Sequence, residues 1–498
     1  MRNCVHLVTY ANRLGGNHLE DLQRLLEGPL NGIFGGVHIL PFFYPVDGAD
    51  AGFDPIDHLT VDPHIGTWNN ITSLSGTHEI TADLIINHIS SESPQFKDFL
   101  KNSDQSLYNG MFLTFGSVFS NGATEEDLLQ IYRPRPGLPF MTITLSNGQK
   151  FILWTTFMSQ QIDLNVRDPQ GDAYWKTILQ RFKEYGIKTV RLDAVGYAIK
   201  KAGTSCFMIP ETFDFIDQVT DYAKALGLEV LVEIHAYYRQ QIEIAHRVDR
   251  VYDFALPTLI LHAIFNKTAR HLKHWLAISP RNAVTVLDTH DGIGVIDIGA
   301  MGDDPESSGL IPPEELTALV ETIHEKSAGQ SRKATGPAAS NLDLYQVNCT
   351  YYDALGRNDR DYLIARAIQF FAPGIPQVYY VGLLAGTNDM ELLDETKVGR
   401  DINRHYYSWD EVQESLTKPI VSDLLKLIRF RNEHPAFQGM FTMLKSDDQL
   451  LVIHWHNAEL WAQLKVDFLE SLVEIRYLED GIEKHLDMNT QDFRLSNG

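Results

Sequence analysis

Residues 5–10 read VHLVTY, 19–28 read LEDLQRLLEG and 37–41 read VHILP. The outer two are short β-branched or aliphatic runs. Between them Leu19, Leu22, Leu25 and Leu26 stand at i, i+3, i+6 and i+7, one face of a helix that Gly28 closes as a C-cap. Strand, amphipathic helix, strand is a βαβ unit, and its two strands run parallel. Similar runs recur at 82–87, 189–193, 230–234, 251–254, 284–288 and 376–381. Helical stripes at Trp175, Ile178, Leu179, Phe182 and at Leu316, Leu319, Val320, Ile323 supply further crossovers. Eight strands with eight helices is the count of a closed α/β (β/α)8 TIM barrel. An open doubly wound sheet is the alternative, but no G-x-G-x-x-G follows the first strand and no Walker-type phosphate loop occurs.

The stretch from His88 to Thr189 is far longer than an ordinary connection, so a subdomain is inserted after strand three. Its turn-rich, aromatic interior, Tyr132-Arg133-Pro134-Arg135-Pro136-Gly137, suits a small roof over the C-terminal face of the barrel. A second long insertion follows strand seven and carries a Gly/Ala/Ser stretch at 334–340, as a lid would. Alternating strands at 450–455, 460–466 and 472–477 predict a small C-terminal antiparallel sheet. The expected division is a catalytic barrel of 1–88 and 167–436, an inserted subdomain of 89–166, a lid or loop of 292–345, and a β-domain of 437–498.

The chain has 498 residues, 44% hydrophobic and 21% charged, an ordinary globular composition. Its net charge of −23 repels nucleic acid and anionic lipid, so neither is an expected partner. A small anionic substrate would need a local cluster of Arg or His. Cys4, Cys206 and Cys349 are too few and too scattered for a disulfide framework or a paired-cysteine zinc site. The first residues lack a signal peptide's apolar stretch and no run approaches 18 apolar residues, which points to a cytoplasmic location.

In an α/β barrel the working groups project from the C-terminal strand ends. Here these ends are acidic: Asp83 to Asn87-His88, Arg191-x-Asp193, Glu233-Ile234-His235 and Asp288-Thr289-His290-Asp291. A carboxylate after an apolar run needs a partner or a task. Each alone could be an ion-paired strand end; four converging on one pocket make that reading weaker. Two carboxylates flanking a sugar are the apparatus of glycoside chemistry. Asp193 and Glu233 on neighbouring strands favour a separation of about 5 Å, which suits a covalent intermediate and retention. Arg191 shares a strand face with Asp193 and would keep it ionised, while Glu233, if desolvated beside a second carboxylate, would be raised into the range of an acid.

These four blocks, in this order, resemble those of the α-amylase superfamily of retaining α-glycosidases. More narrowly, the stretches 49–58 (ADAGFDPIDH), 131–140 (IYRPRPGLPF) and 339–346 (ASNLDLYQ) resemble the sucrose phosphorylase family. The resemblance implies reversible phosphorolysis of sucrose, with Asp193 taking the glucosyl unit, Glu233 protonating the departing fructose, and inorganic phosphate then attacking. It implies that Asp291 grips glucose hydroxyls, that Asp50, His88, His290 and Arg400 fix the others, and that Phe53 and Phe157 form apolar walls. It places Tyr345 and His235 beside phosphate and Tyr132 near the acid, adds Tyr197, Leu342, Asp343 and Gln346 to the substrate-binding set, and suggests a homodimer.

Phosphate must outcompete water at about 55 M, so its site must concentrate an anion. Arg135, held between two prolines, is the candidate; its guanidinium can grip phosphate bidentately. The same subsite must admit fructose, so the loops carrying Arg135 and residues 343–346 are expected to move. His88 and His290 taken singly, or Phe53 and Phe157, are equally core residues, and Arg135 could be a solvated loop cation. His271 and His274, at i, i+3, have no adjacent acidic partner and read as polar surface residues; the resemblance to sucrose phosphorylases, unlike that to amylases at large, implies no metal, and no cofactor is expected. A phosphorylase of a related glucoside such as phosphorylated sucrose, a hydrolase using water, and an inactive carbohydrate-binding scaffold stand as alternatives.

Overall fold

A computed structural model describes residues 1–48, 50–134, 137–301, 307–335 and 346–487. Eight parallel strands close a barrel: β1 (His6–Thr9), β2 (Gly36–Ile39), β3 (Glu79–Ile85), β4 (Thr189–Asp193), β5 (Glu229–Val232), β6 (Arg250–Asp253), β7 (Ala283–Thr285) and β8 (Ile375–Tyr379). Each lies in or beside one of the eight aliphatic runs. β8 returns to β1 with His6 opposite Gln377. Two registers place the chemistry: Arg191 stands opposite Asp83 on β3 and Leu231 on β5.

The amphipathic stripes face inward as the sequence requires. Helix Leu19–Glu27 buries Leu19, Leu22, Leu25 and Leu26, and helix Pro169–Glu184 buries Trp175, Ile178, Leu179 and Phe182. In helix Pro313–Lys326, Leu319, Val320 and Ile323 are buried and Leu316 is packed at the margin.

After β3 the chain leaves the barrel. Strand His88–Ser90 pairs antiparallel with Gln161–Asp163, and between them run helix Pro94–Asn102 and a hairpin of Phe140–Thr144 with Lys150–Trp154. This insertion has a small core of its own, with Leu113, Phe119, Ile131 and Trp154 packed around Cys206. After β7 a second excursion pairs Ile293–Gly294 with Gln346–Val347 and carries the turn Ile296–Ile298. Residues 302–306 and 336–345 of the expected lid lie outside the described residues.

The C-terminal sheet has five antiparallel strands, Met440–Leu444, Leu450–Asn457, Leu460–Asp467, Leu472–Glu479 and Ile482–Asp487. Side chains of Leu450–Asn457 alternate between buried and half-buried, the pattern of a sheet with one face on a core. Trp455 Nε1 donates to the Phe371 carbonyl at 2.8 Å, fastening that sheet to the helix before β8. Among the described residues no helix is long and apolar enough to cross a membrane.

Candidate active site

The site is built on one buried guanidinium. Arg191, central in β4, donates from Nη1 to Asp83 on β3 and, at 2.8 Å, to Asp193 Oδ1 two residues along its own face. Its Nη2 lies 3.8 Å from Glu233 Oε1, just past the end of β5. Asp83 is an anchor: His38 Nε2 donates to its carboxylate at 2.8 Å, and His58 Nε2 to its carbonyl at 3.0 Å. Burial alone would raise the Asp83 carboxyl, but His38 and Arg191 outweigh it and hold the group at about 2.

Asp193 behaves differently. Burial pushes its carboxyl well above the usual aspartate range; Arg191 opposes this, while Glu233, Asp83 and Asp291 add to it. The expected control of Asp193 by Arg191 is therefore partial, because the guanidinium divides its charge among three carboxylates. Ala194, next in the chain, adopts a left-handed backbone with φ 51° and donates its N–H to Glu233 Oε2 at 3.1 Å. A non-glycine residue held there costs about 1–2 kcal/mol, so the surrounding structure must impose it.

The loop after β7 supplies His290 and Asp291. Arg400 Nη1 reaches Asp291 Oδ1 at 2.8 Å, with His290 Nε2 at 3.7 Å. Burial would raise Asp291, yet Arg400, His290, His235 and Arg404 hold it well below the ordinary range, so it stays ionised. Burial takes His290 down to about 3 and lowers His88, leaving both rings uncharged at neutral pH. His290 stacks on Phe53 at 4.7 Å and 6°, and His88 Nε2 donates to the Phe53 carbonyl at 2.8 Å. Gly52, at φ 90°, allows that loop to turn tightly, since a Cβ there would stand 2.9 Å from the Val46 carbonyl. Asp50, on the same loop, faces Arg404 at 3.8 Å and Arg400 at 4.0 Å.

His235 follows Glu233 at the end of β5. Its Nδ1 bonds Asp297 Oδ2 at 2.9 Å, and its ring stacks on Phe254 at 3.8 Å. Nε2 is left facing Gln346 Nε2 at 3.2 Å and Glu233 Oε1 at 3.9 Å. Burial opposes charge on this imidazole, but Asp297, Glu233 and Asp291 outweigh it and raise its pKa above the usual value.

These groups surround a cavity of about 340 Å³, within the range of small-ligand sites. Of the residues singled out from sequence, Asp50, Phe53, His88, Phe157, Asp193, Tyr197, Glu233, His235, His290, Asp291, Gln346 and Arg400 line it. Arg191 sits behind the carboxylates. Tyr132 is not a lining residue; it backs the wall, stacking on Phe207 at 4.6 Å and on Tyr197 at 6.2 Å. Arg135, Leu342, Asp343 and Tyr345 lie outside the described residues. Sequence reasoning missed Phe207, Asn348 and Lys397 on the wall and Asp297 behind it. Phe207, Asn348 and Lys397 follow no barrel-strand run, and the short aliphatic stretch before Asp297 forms a turn rather than a barrel strand, so no strand-end signal marks them. The lone carboxylate pattern at Asp288 misleads in the other direction: that group is buried against Arg366 at 2.8 Å and does not face the cavity.

The family described as Alpha amylase, catalytic domain, matches residues 32–285. The chain belongs to the α-amylase family. A sucrose phosphorylase of Agrobacterium vitis is 59% identical over 475 residues, spanning 95% of this chain and 97% of that one. A sucrose phosphorylase of Bifidobacterium adolescentis is 53% identical over 464 residues, spanning 93% and 92%. Within the α-amylase family the chain therefore falls among the sucrose phosphorylases, as its three longer motifs anticipate. The crystal structure of sucrose 6F-phosphate phosphorylase from Thermoanaerobacter thermosaccharolyticum matches with a TM-score of 0.89 at 38% identity, covering 98% of both chains.

Proposed function

We propose that the protein catalyses reversible phosphorolysis of sucrose, giving α-D-glucose 1-phosphate and D-fructose with retention at the anomeric carbon. The observation that carries this is the pair Asp193 and Glu233, bridged by Arg191 at the wall of one sugar-sized cavity. The names its relatives bear support the choice of sucrose and phosphate.

Arg191 lies 2.8 Å from Asp193 and 3.8 Å from Glu233, so the guanidinium favours the charged form of Asp193 more than that of Glu233, and we assign the nucleophile's role to Asp193 and the acid's to Glu233. Asp193 then attacks the anomeric carbon while Glu233 gives its proton to the departing fructosyl oxygen. The C–O bond to fructose breaks as the glucosyl–Asp193 bond forms. In the second half, Glu233 takes the proton of an incoming hydrogen phosphate, whose oxygen displaces Asp193 from the sugar. Asp291, held ionised by Arg400, holds glucose hydroxyls and favours the positive charge that develops on the ring. Phe53 and Phe157 offer apolar faces to the sugar's C–H surface.

The test is sucrose cleavage with and without phosphate. Phosphate-dependent α-glucose 1-phosphate with equimolar fructose is the expected result; free glucose at equal rates in both would make the protein a hydrolase. Preference for sucrose 6F-phosphate over sucrose in the same assay would shift the donor instead. Asp193→Ala is expected to lose turnover by several orders of magnitude, because water is a poor substitute for a positioned nucleophile. Near-normal turnover would remove Asp193 from this role. We also infer a cytoplasmic location, supported by three unpaired cysteines, and a homodimer, which sedimentation checks directly.

A further inference from the structure

Three outer helices bring two imidazoles and a carboxylate together, away from the sugar cavity. His262 lies on Ala255–Asn266, His271 on Arg270–Ile278 and Glu315 in the first turn of Pro313–Lys326. In the sequence His271 stands at i, i+3 to His274 with no acid adjacent; the fold instead brings it to His262 and Glu315. Glu315 Oε2 lies 2.6 Å from His262 Nε2 and 3.6 Å from His271 Nε2, and the two rings meet edge to face at 5.2 Å. One ligand atom from each residue falls within 4.8 Å of the other two.

His262 is an unusual residue for its helix. From Ala255 to Ile264 every side chain is buried, and apart from Thr258 and His262 all are apolar. A buried imidazole needs a polar partner, and Glu315 supplies one from the solvent side. His271 and Glu315 are partly exposed, so an ion and a water can reach the cluster.

We propose that His262, His271 and Glu315 form a binding site for a borderline divalent transition metal, with zinc the best match and a water completing the shell. Two imidazoles and one carboxylate suit zinc, cobalt(II) or nickel(II) and lack the all-oxygen set that calcium or magnesium requires. At ordinary zinc–ligand lengths a tetrahedral set spaces its ligand atoms by about 3.4 Å. The 3.6 Å contact is already there. The 2.6 Å contact must open by about 0.8 Å, a shift within reach of a partly exposed glutamate rotamer. Bound metal would tie together three helices, one of which lies within the excursion that carries Asp297. Its effect is on stability and not on the chemical step.

Thermal unfolding of the full chain with zinc chloride, and again after EDTA, tests this, alongside the visible absorption of the cobalt(II)-loaded protein. Zinc should raise the Tm by about 2–5 °C, reversibly, and cobalt(II) should give an intense low-symmetry band. His271→Ala and Glu315→Gln, both at partly exposed positions, should abolish the shift and the band while leaving metal-free sucrose turnover unchanged. No shift and no band in the parent protein, or metal binding undiminished in both variants, would overturn the proposal. Inhibition of turnover by zinc at the catalytic carboxylates would persist in the variants and so does not count for it.

Discussion

Asp297 is expected to matter for phosphate more than for sugar. It is buried, accepts from Gln241 Nε2 at 2.8 Å as well as from His235, and faces Gly294, where a Cβ would stand 2.2 Å from its Oδ2. The chain thus leaves bare backbone at Gly294 so that the carboxylate can reach the imidazole. The largest charged contributions at His235 come from Asp297, Glu233 and Asp291, all acidic, and they outweigh its burial. Protonated, His235 at the cavity wall would help to offset the repulsion an arriving phosphate meets. Its protonation requires the Gln346 amide to turn its oxygen toward Nε2, a rotation about one terminal bond. Asp297→Asn removes the largest contribution favouring charge, so the pKa of His235 falls. The limb of the pH profile on which phosphate attack is lost as pH rises should move to lower pH. At neutral pH, kcat/KM for phosphate should drop by about tenfold per unit of that displacement, with glucosylation by sucrose changed far less. Equal losses in both half-reactions, or an unmoved limb, would make Asp297 merely structural. Asp193, Glu233 and Asp291 were legible because each follows an apolar run whose burial demands an explanation. Asp297 was not, because its meaning arises only when the loop after β7 folds against the end of β5.

Lys200 gives the corresponding case between elements. Its Nζ is buried, 2.9 Å from Asp163 on the inserted strand Gln161–Asp163 and 3.2 Å from Asn87 at the end of β3, and it also donates to the Tyr197 carbonyl. One tethered ammonium thus joins the insertion to the barrel beside His88. Lys200→Met keeps the volume and removes the charge, leaving Asp163 buried with only its hydrogen bonds from Thr156 and Asn87. The expected cost is about 3–5 kcal/mol in chemical unfolding, the range for breaking one side of a buried pair. A change under about 1 kcal/mol would show that those hydrogen bonds suffice. The barrel strands were readable because each is a local aliphatic run closed by turn residues, and the helices because their stripes are periodic. The pairing of His88–Ser90 with Gln161–Asp163 carries no such mark: each strand has three residues, and the whole inserted subdomain separates the partners in sequence.

The field of the entire chain bears on the anion as well. Net charge is −23, and among the described residues lining the cavity Asp50, Asp193, Glu233 and Asp291 face only Lys397 and Arg400 as permanent cations. Arg400 is already engaged with Asp291 at 2.8 Å. Sucrose is neutral and indifferent to this field; hydrogen phosphate must climb it. Raising ionic strength from 10 to 150 mM shortens the screening length from about 30 to about 8 Å, which weakens repulsion from the surface more than contacts within the site. The apparent KM for phosphate should therefore fall by about two- to fivefold across that range while the KM for sucrose stays constant. Two salts with different anions separate screening from competition at the phosphate subsite. Arg135, the side chain expected to reverse the sign locally, enters through its own variant: with Arg135→Gln the salt effect should grow, since less nearby positive charge opposes the distant negative field. A phosphate KM that rises with salt in the parent protein would show that local cations, and not the acidic surface, govern capture of the anion.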